Sequence, residues 1–273
     1  QTNLLDKTMN QTFSESLIDS VLKKLDETGS VNPDSPINFR RPVHVVYGGA
    51  HLFKADTPNK LGKLAIKSLD AYAPDFAEFA RAVCLAGADT LPIYQDTIQE
   101  LEFQLIENEN KVKTENFAAW FAWTIYNRTI EKLKREPVED FRIDFEDGYG
   151  FRSDTEEDSH AVAASGELAK SFLENTVTPF CGFRIKSLQK ETRARAMRTL
   201  DLFLTNLLEK TGGELPENFV VNLPKISRRE EVEILNDLLD EFERKTALKN
   251  GSLKIEIMIE TPQAIVSETG EIA

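Results

Sequence analysis

The chain has few of the residues that build disulfide frameworks, metal knuckles or membrane spans. Its 273 residues include two cysteines and three histidines. Cys84 and Cys181 lie far apart in apolar sequence, so we expect two buried free thiols in a reducing compartment. No apolar run reaches membrane-spanning length, and the start is polar, without a basic region followed by an apolar core. We therefore expect a cytoplasmic protein with no membrane partner.

Positive charge is also scarce. The 33 lysines and arginines are outnumbered by 46 acidic residues, for a formal charge of −13. Such a chain repels a phosphate backbone, and the densest basic stretch, residues 186–198, is interrupted by Glu191 and is explained by a solvated helix face. We predict no nucleic-acid partner. A dinucleotide fingerprint, a phosphate-binding lysine loop, a serine nucleophile elbow and a cysteine metal pair are absent from the sequence.

Short apolar runs alternate with segments of helical periodicity, which is typical of parallel α/β proteins. Five runs of β type are recognisable, and each gives way to polar or glycine-rich residues: Val43 to Tyr47, Phe141 to Phe145, Gly182 to Lys186, Phe219 to Leu223 and Lys254 to Ile259. The last three connections each have room for one helix. We therefore predict an α/β fold with a parallel sheet.

The first connection is about ninety residues long and must contain extra structure. Aromatic stripes beginning at Phe76 and at Phe117 predict two helices, as core or as a subunit interface, and residues 100–115 between them predict a loop or an exposed helix. The predicted organisation is an N-terminal helical extension over residues 1–42, and a sheet region over 43–273 that carries a helical insertion at about 73–137.

Carboxylates cluster where the second run ends. Asp144, Glu146 and Asp147 fall within four positions and are followed by glycine. Clustered carboxylates are retained for a cation, a proton or a substrate donor, although a solvated acidic turn explains them as well. Glu260 ends the fifth run and is a further candidate ligand for a hard cation such as Mg²⁺.

Basic and small residues occupy the other strand ends, where the ligand-binding residues of parallel α/β proteins usually lie. Arg184 lies inside an apolar strand and needs a carboxylate partner, which is either internal, with Glu146 or Asp147, or a ligand. Lys225 follows the fourth run. After the first run, Gly48 and Gly49 allow close approach of the backbone to a ligand.

The three histidines receive different predictions. His51 stands at a strand end and is a candidate ligand-binding residue. We expect His44 to be a core histidine in the first strand and His160 to face solvent on the helix that an Asp154 to Glu157 start signal opens.

Taken in order, the strand ends resemble the HpcH/HpaI aldolase and citrate lyase β-subunit family of phosphoenolpyruvate/pyruvate-type TIM barrels. The resemblance rests on Val-Tyr-Gly-Gly, Ile-Asp-Phe-Glu-Asp-Gly, Phe-Arg-Ile-Lys, Asn-Leu-Pro-Lys and Ile-Glu-Thr-Pro. It implies a TIM (β/α)8 barrel. Since only five strands are recognisable, we expect this chain to hold an incomplete barrel, to lack the second metal carboxylate of the family's sixth strand and to be inactive on its own.

The resemblance also implies a metal-dependent carbon–carbon lyase or aldolase that forms an enolate from a small keto acid or an acyl thioester. Arg184 then binds the substrate carboxylate, Glu146 and Asp147 form the catalytic acidic pair, and Glu260 binds Mg²⁺ or Mn²⁺. Gly48, Gly49, His51 and Lys225 complete the substrate-binding set. Where the keto-acid aldolases use a histidine, this chain has Asp147, which is closer to the thioester lyases and admits a coenzyme A thioester.

Two alternatives remain open on sequence grounds. The barrel either serves as a non-catalytic binding or assembly module, or belongs to another enolate-forming enzyme such as a pyruvate or phosphoenolpyruvate phosphotransferase. The family resemblance and the aromatic helix favour a homo-oligomer.

Overall fold

The structure is a computed structural model that describes residues 40–267 and 269–272. Among these residues are five strands and eight α-helices. The strands are β1 (Val46–Gly49), β2 (Asp140–Asp144), β3 (Phe180–Arg184), β4 (Phe219–Leu223) and β5 (Lys254–Ile257). Nearly all of the predicted N-terminal extension lies outside the described residues.

The long first connection is helical, and the helices predicted at Phe76 and Phe117 are present, but a further helix precedes the predicted insertion at 73–137. It contains α1 (Thr57–Tyr72), α2 (Phe76–Ala82), α3 (Gln95–Glu107), α4 (Glu109–Glu115) and α5 (Phe117–Arg135). Residues 100–115, for which the sequence allowed a loop or a helix, belong to α3 and α4. The insertion has its own apolar core, in which Phe76, Ile98 and Leu105 are almost fully buried.

Single helices connect the remaining strands: α6 (Asp154–Leu173), α7 (Arg193–Thr211) and α8 (Arg229–Thr246). A capping box opens α6, but it joins Ser153 to Glu156, one residue earlier than the predicted pair. Glu157 is instead buried and accepts a hydrogen bond from Thr199 Oγ1 at 2.7 Å. The α7 helix ends at Gly212 in the left-handed conformation, as its sequence position predicts.

All strands are parallel and follow one another in the order β1-β2-β3-β4-β5. Strand side chains alternate between two faces. One face is apolar, with Ile143, Phe183 and Val221 packed into a single core with Leu204 of α7 and Leu235 of α8. The helices after β2, β3 and β4 therefore cover the same face of the sheet.

The opposite face of the sheet is polar. Arg142 donates from Nε to Glu256 Oε2 at 2.8 Å and also pairs with Asp140. Asn222 Nδ2 donates to the same Glu256 oxygen at 2.8 Å. Burial, the largest single effect, raises the pKa of Glu256, but the hydrogen bond and charge of Arg142 and the hydrogen bond from Asn222 together outweigh it, so the net shift is downward.

Several local predictions are wrong. His44 is exposed and precedes β1, because the hydrogen-bonded ladder starts only at Val46. Cys84 is exposed, since it lies beyond the end of α2, whereas Cys181 is buried as predicted. Burial raises the pKa of the Cys181 thiol to about 12, so that it stays protonated. In the described part of the chain, no helix combines the length and apolarity needed to cross a membrane.

Candidate functional site

The carboxyl ends of β2, β3 and β4 border a pocket of about 260 Å³. Charged side chains of both signs line this pocket, because they follow the strands at the edge where each strand ends. The lining residues are Glu146, Asp147, Gly150, Phe151, Lys186, Ser187, Thr192 and Lys225. Three predicted site residues are therefore brought together here: Glu146, Asp147 and Lys225.

Arg184 is held by Asp144, the first carboxylate of the acidic cluster, and not by the predicted partners Glu146 or Asp147. Asp144 lies opposite it in the β2–β3 register and accepts from Nε at 2.7 Å and from Nη2 at 2.6 Å. Asp144 also accepts the backbone N–H groups of Glu146 at 2.8 Å and Gly148 at 2.7 Å. The internal partner of Arg184 is thus Asp144, and the same carboxylate shapes the acidic turn.

The remaining edge of the Arg184 guanidinium faces the acidic pair. Its Nη1 atom lies 3.6 Å from Glu146 Oε2 and 3.8 Å from Asp147 Oδ2. The guanidinium also lies over the ring of Tyr47, 4.7 Å from the centroid. Arg184 is fixed on two sides and does not line the pocket, so its position suits holding the acids more than touching a ligand.

Lys225 provides the positive charge at the centre of the site. Its ammonium bonds Glu146 and, at 2.8 Å, Asp147. The backbone of Lys225 has a φ of 51°, a left-handed conformation that costs a non-glycine residue roughly 1 kcal/mol or more. Its N–H donates to Glu260 Oε1 at 2.8 Å, which helps to hold this conformation.

The two acids have opposite pKa shifts. Burial, the largest effect, raises the pKa of Glu146, and Asp147 adds to the rise while Lys225 opposes it. The hydrogen bond from Lys225 lowers the pKa of the more exposed Asp147. Burial lowers the pKa of Lys225, but the two carboxylates outweigh burial and the net shift is upward. Glu146 is therefore the better proton acceptor of the pair, and Lys225 stays charged.

A second lysine, Lys186, also lines the pocket, although the sequence did not predict it as a site residue. Its ammonium donates to the carbonyl of Phe145 at 2.6 Å and lies 3.2 Å from Glu157 Oε2. It also lies over the ring of Tyr149 at 5.0 Å from the centroid. The pocket is thus lined by two lysines and two acids, and the lysine ammonium groups are its candidate contacts for an anionic group of a ligand.

The predicted glycine and histidine positions lie beside the pocket and do not line it. A Cβ at Gly49 would come 2.4 Å from the carbonyl oxygen of Gly148. Only a glycine at this position of β1 therefore lets the acidic turn pack this closely against the strand. His51 packs edge-on against Tyr149, 5.6 Å between centroids. Burial, followed by the charge of Arg152, lowers the pKa of His51, which favours the neutral ring.

His160 is half-buried and does not simply face solvent as predicted. Its Nδ1 atom lies 2.8 Å from the Tyr149 hydroxyl. Burial, reinforced by Glu157, raises the pKa of Tyr149 to about 12. The Tyr149 phenol therefore stays protonated and forms a hydrogen bond with His160 next to the acidic turn.

The predicted metal ligand, Glu260, and the acidic pair do not form one cation site. Glu146 and Asp147 share the Lys225 ammonium, and Glu260 is exposed and bonded to the backbone of Lys225. Within the described ranges, no group of three or more histidine, cysteine or acidic side chains could hold an ion. The donor set as arranged does not fit a divalent cation, because an ammonium already occupies the space between the two acids.

Comparison with known proteins corrects the family suggested by the strand-end motifs. No curated protein and no solved structure matches the chain. The matching family is not the HpcH/HpaI and citrate lyase β-subunit family, so that assignment is wrong. Residues 32–273 match the family described as "Domain of unknown function (DUF6986)", and the chain belongs to this family.

Proposed function

We propose that the pocket binds a small keto acid or its thioester and forms an enolate from it, as a carbon–carbon lyase or aldolase does. The observation that carries the proposal is the pairing of Lys225 with a carboxyl group, Glu146, whose pKa is raised. An ammonium has three N–H donors, and Glu146 and Asp147 use two of them. The third is available to an oxygen of the substrate.

The proposed reaction starts with proton transfer to Glu146. The carboxylate takes a proton from the carbon next to the substrate carbonyl, and the electrons of the broken C–H bond form the C=C bond of an enolate. The carbonyl electrons move to oxygen, where the charged Lys225 stabilises them. Lys186 supplies charge for the substrate carboxylate. Arg184 is a positioning residue that, with Asp144, holds the acidic turn in place.

We also propose that the sheet is part of a (β/α)8 barrel. Sequential strand order with parallel connections is what consecutive right-handed βα units produce when all helices lie on one side. The polar face with Arg142 and Glu256 then faces the barrel interior. A crystal structure in which helices cover this polar face would contradict the barrel.

Magnesium and a thioester remain predictions from sequence. Since the carboxylates are occupied by Lys225, no step of the proposed reaction passes through a metal. Measuring keto-acid affinity in MgCl₂ and in EDTA tests the metal prediction. Equal affinities in the two buffers would contradict it.

Binding of pyruvate tests the proposed site directly. Isothermal titration calorimetry of the wild-type protein should give measurable affinity, and Lys225→Met should weaken it about tenfold to a hundredfold, because a charged hydrogen bond contributes roughly 1.5–3 kcal/mol. Lys67→Met is the matched control, since Lys67 is exposed on α1. Absence of pyruvate and oxaloacetate binding, or equal affinity of the two variants, would refute the proposal.

A further inference from the structure

Phe151 is the most exposed large hydrophobic side chain in the described part of the chain, at 97%. It also lines the pocket. Single exposed hydrophobic residues are common on protein surfaces and by themselves indicate nothing. This one is distinguished by its place at the mouth of a charged pocket and by the way its backbone is held.

Phe151 belongs to a segment that we call the rim loop, residues 146–153. The loop is anchored at its start by Asp144, which accepts the N–H groups of Glu146 and Gly148. It is anchored at its end by Ser153, whose hydroxyl and backbone both bond Glu156 in the capping box. The backbone is therefore held by hydrogen bonds on both sides of Phe151.

The two aromatic residues of the rim loop, Tyr149 and Phe151, differ strongly in exposure. Tyr149 is buried beneath the loop. Gly150 then has a φ of +76°, a conformation that favours glycine, and its N–H donates to the Glu146 carbonyl at 2.9 Å. The chain consequently turns outward, and Phe151 projects at the rim.

Apart from Gly150 and Phe151, the side chains that line the pocket are charged or carry hydroxyls, and they include the acids Glu146 and Asp147. Lys186 and Lys225 supply positive charge, and the hydroxyls of Ser187 and Thr192 lie 2.9 Å from each other on the same wall. These groups suit the acidic head of a ligand. Phe151 adds an apolar, flat and solvent-exposed surface to the same pocket.

We infer that the substrate is an acid that carries an apolar or aromatic substituent, and that Phe151 determines this specificity by packing against the substituent. The inference rests on the proposed function and names the class of substrate for that site. Aromatic rings pack favourably in offset or edge-to-face arrangements. A volume of about 260 Å³ suits a ligand of metabolite size, since it lies just below the range of about 300–1,000 Å³ usual for drug-sized ligands.

The test compares pyruvate with phenylpyruvate, which differ by one aromatic ring. Dissociation constants of both are measured by calorimetry for the wild-type protein, for Phe151→Ala and for Phe103→Ala, the last being a control on α3 with a 64% exposed side chain. We expect wild type to bind phenylpyruvate about tenfold more tightly than pyruvate, equivalent to about 1.4 kcal/mol. Phe151→Ala should bind the two acids with about equal affinity, and Phe151→Trp should retain the preference.

The possible outcomes separate the two proposals. If pyruvate binds and phenylpyruvate binds no more tightly, or if Phe151→Ala keeps the full preference, the inference about Phe151 is wrong and the proposed function stands. If neither acid binds the wild-type protein, the proposed function fails and the inference fails with it. A preference lost equally in Phe103→Ala would also overturn the assignment to Phe151.

Discussion

Replacing Asp144 by asparagine should destabilise the fold strongly although it changes hardly any volume. Each Asp144 oxygen accepts one guanidinium N–H and one backbone N–H: Oδ1 from Arg184 and Glu146, and Oδ2 from Arg184 and Gly148. Whichever oxygen becomes the amide nitrogen, two donors lose their acceptor. Asp144 is 1% exposed, so water cannot readily replace it.

The expected magnitude follows from the buried charge that remains. Breaking a buried ion pair by removing one partner costs about 3–5 kcal/mol, because the other charge is left uncompensated. Arg184, whose side chain is 8% exposed, would lose one of its two short hydrogen bonds and the negative charge that receives them both. It would keep the longer contacts of its Nη1 atom with Glu146 and Asp147, which already pair with Lys225. The free energy of unfolding should therefore fall by about 3–5 kcal/mol, and Tm should fall by on the order of 10 °C.

Urea unfolding followed by circular dichroism measures this change from the midpoint at constant m value. Asp237→Asn is the matched control, since Asp237 is exposed on α8, and it should lie within about 0.5 kcal/mol of wild type. Adding Arg184→Met to Asp144→Asn should recover part of the loss, because no unpaired charge then remains. A stability of Asp144→Asn within about 1 kcal/mol of wild type would refute the reasoning.

Two predictions concern pH. If ionised Glu146 is the base, Lys225→Met should move the acid limb of the pH–rate profile to higher pH, because Lys225 lowers the Glu146 pKa, and an unmoved limb would count against this pairing. The backbone N–H of Ala55, at 3.0 Å, and then Lys54 lower the pKa of Glu167. A depressed folded pKa contributes stability above the unfolded value of about 4.3 and loses it as pH falls through the folded pKa. Glu167→Gln should therefore be less stable than wild type at pH 7 in urea unfolding, and a difference that persists at pH 2 would contradict this.

Hydrophobic periodicity was sufficient to predict the five strands, the helices of the last three connections and two helices of the first, because each amphipathic element must bury one side, but α1 was not predicted. Strand limits were less accurate. Ile185 and Lys186 continue the apolar-polar alternation of β3, but the ladder ends at Arg184. Alternation describes which side chains are buried, whereas the end of a strand depends on which neighbour supplies hydrogen bonds.

The candidate site was predictable in position and only partly in its contacts. Strand-end location was enough to bring Glu146, Asp147 and Lys225 together. The partner of Arg184 depends on the register between β2 and β3, which is set by packing across the whole sheet and cannot be read from either strand alone. Phe151 carried no signal in sequence, because an aromatic residue in a glycine-rich turn has no periodicity.

The family prediction failed for a related reason. Short strand-end motifs show that polar residues follow the strands, but many unrelated α/β proteins have polar residues at the same positions, so the motifs do not identify a family. Glu260 illustrates the difference. It occupies the expected strand end, but its carboxylate bonds the backbone of Lys225.

Exchange of the methyl protons of pyruvate for deuterium tests the central claim, that Glu146 removes a proton from a bound keto acid. Proton NMR in D₂O follows the loss of the methyl signal with wild type, Glu146→Gln and the control Glu100→Gln, whose side chain is exposed on α3. Wild type and Glu100→Gln should accelerate exchange over buffer, and Glu146→Gln should be slower by about 10²–10⁴-fold. Exchange no faster than in buffer with wild type, or equal rates for wild type and Glu146→Gln, would contradict the account.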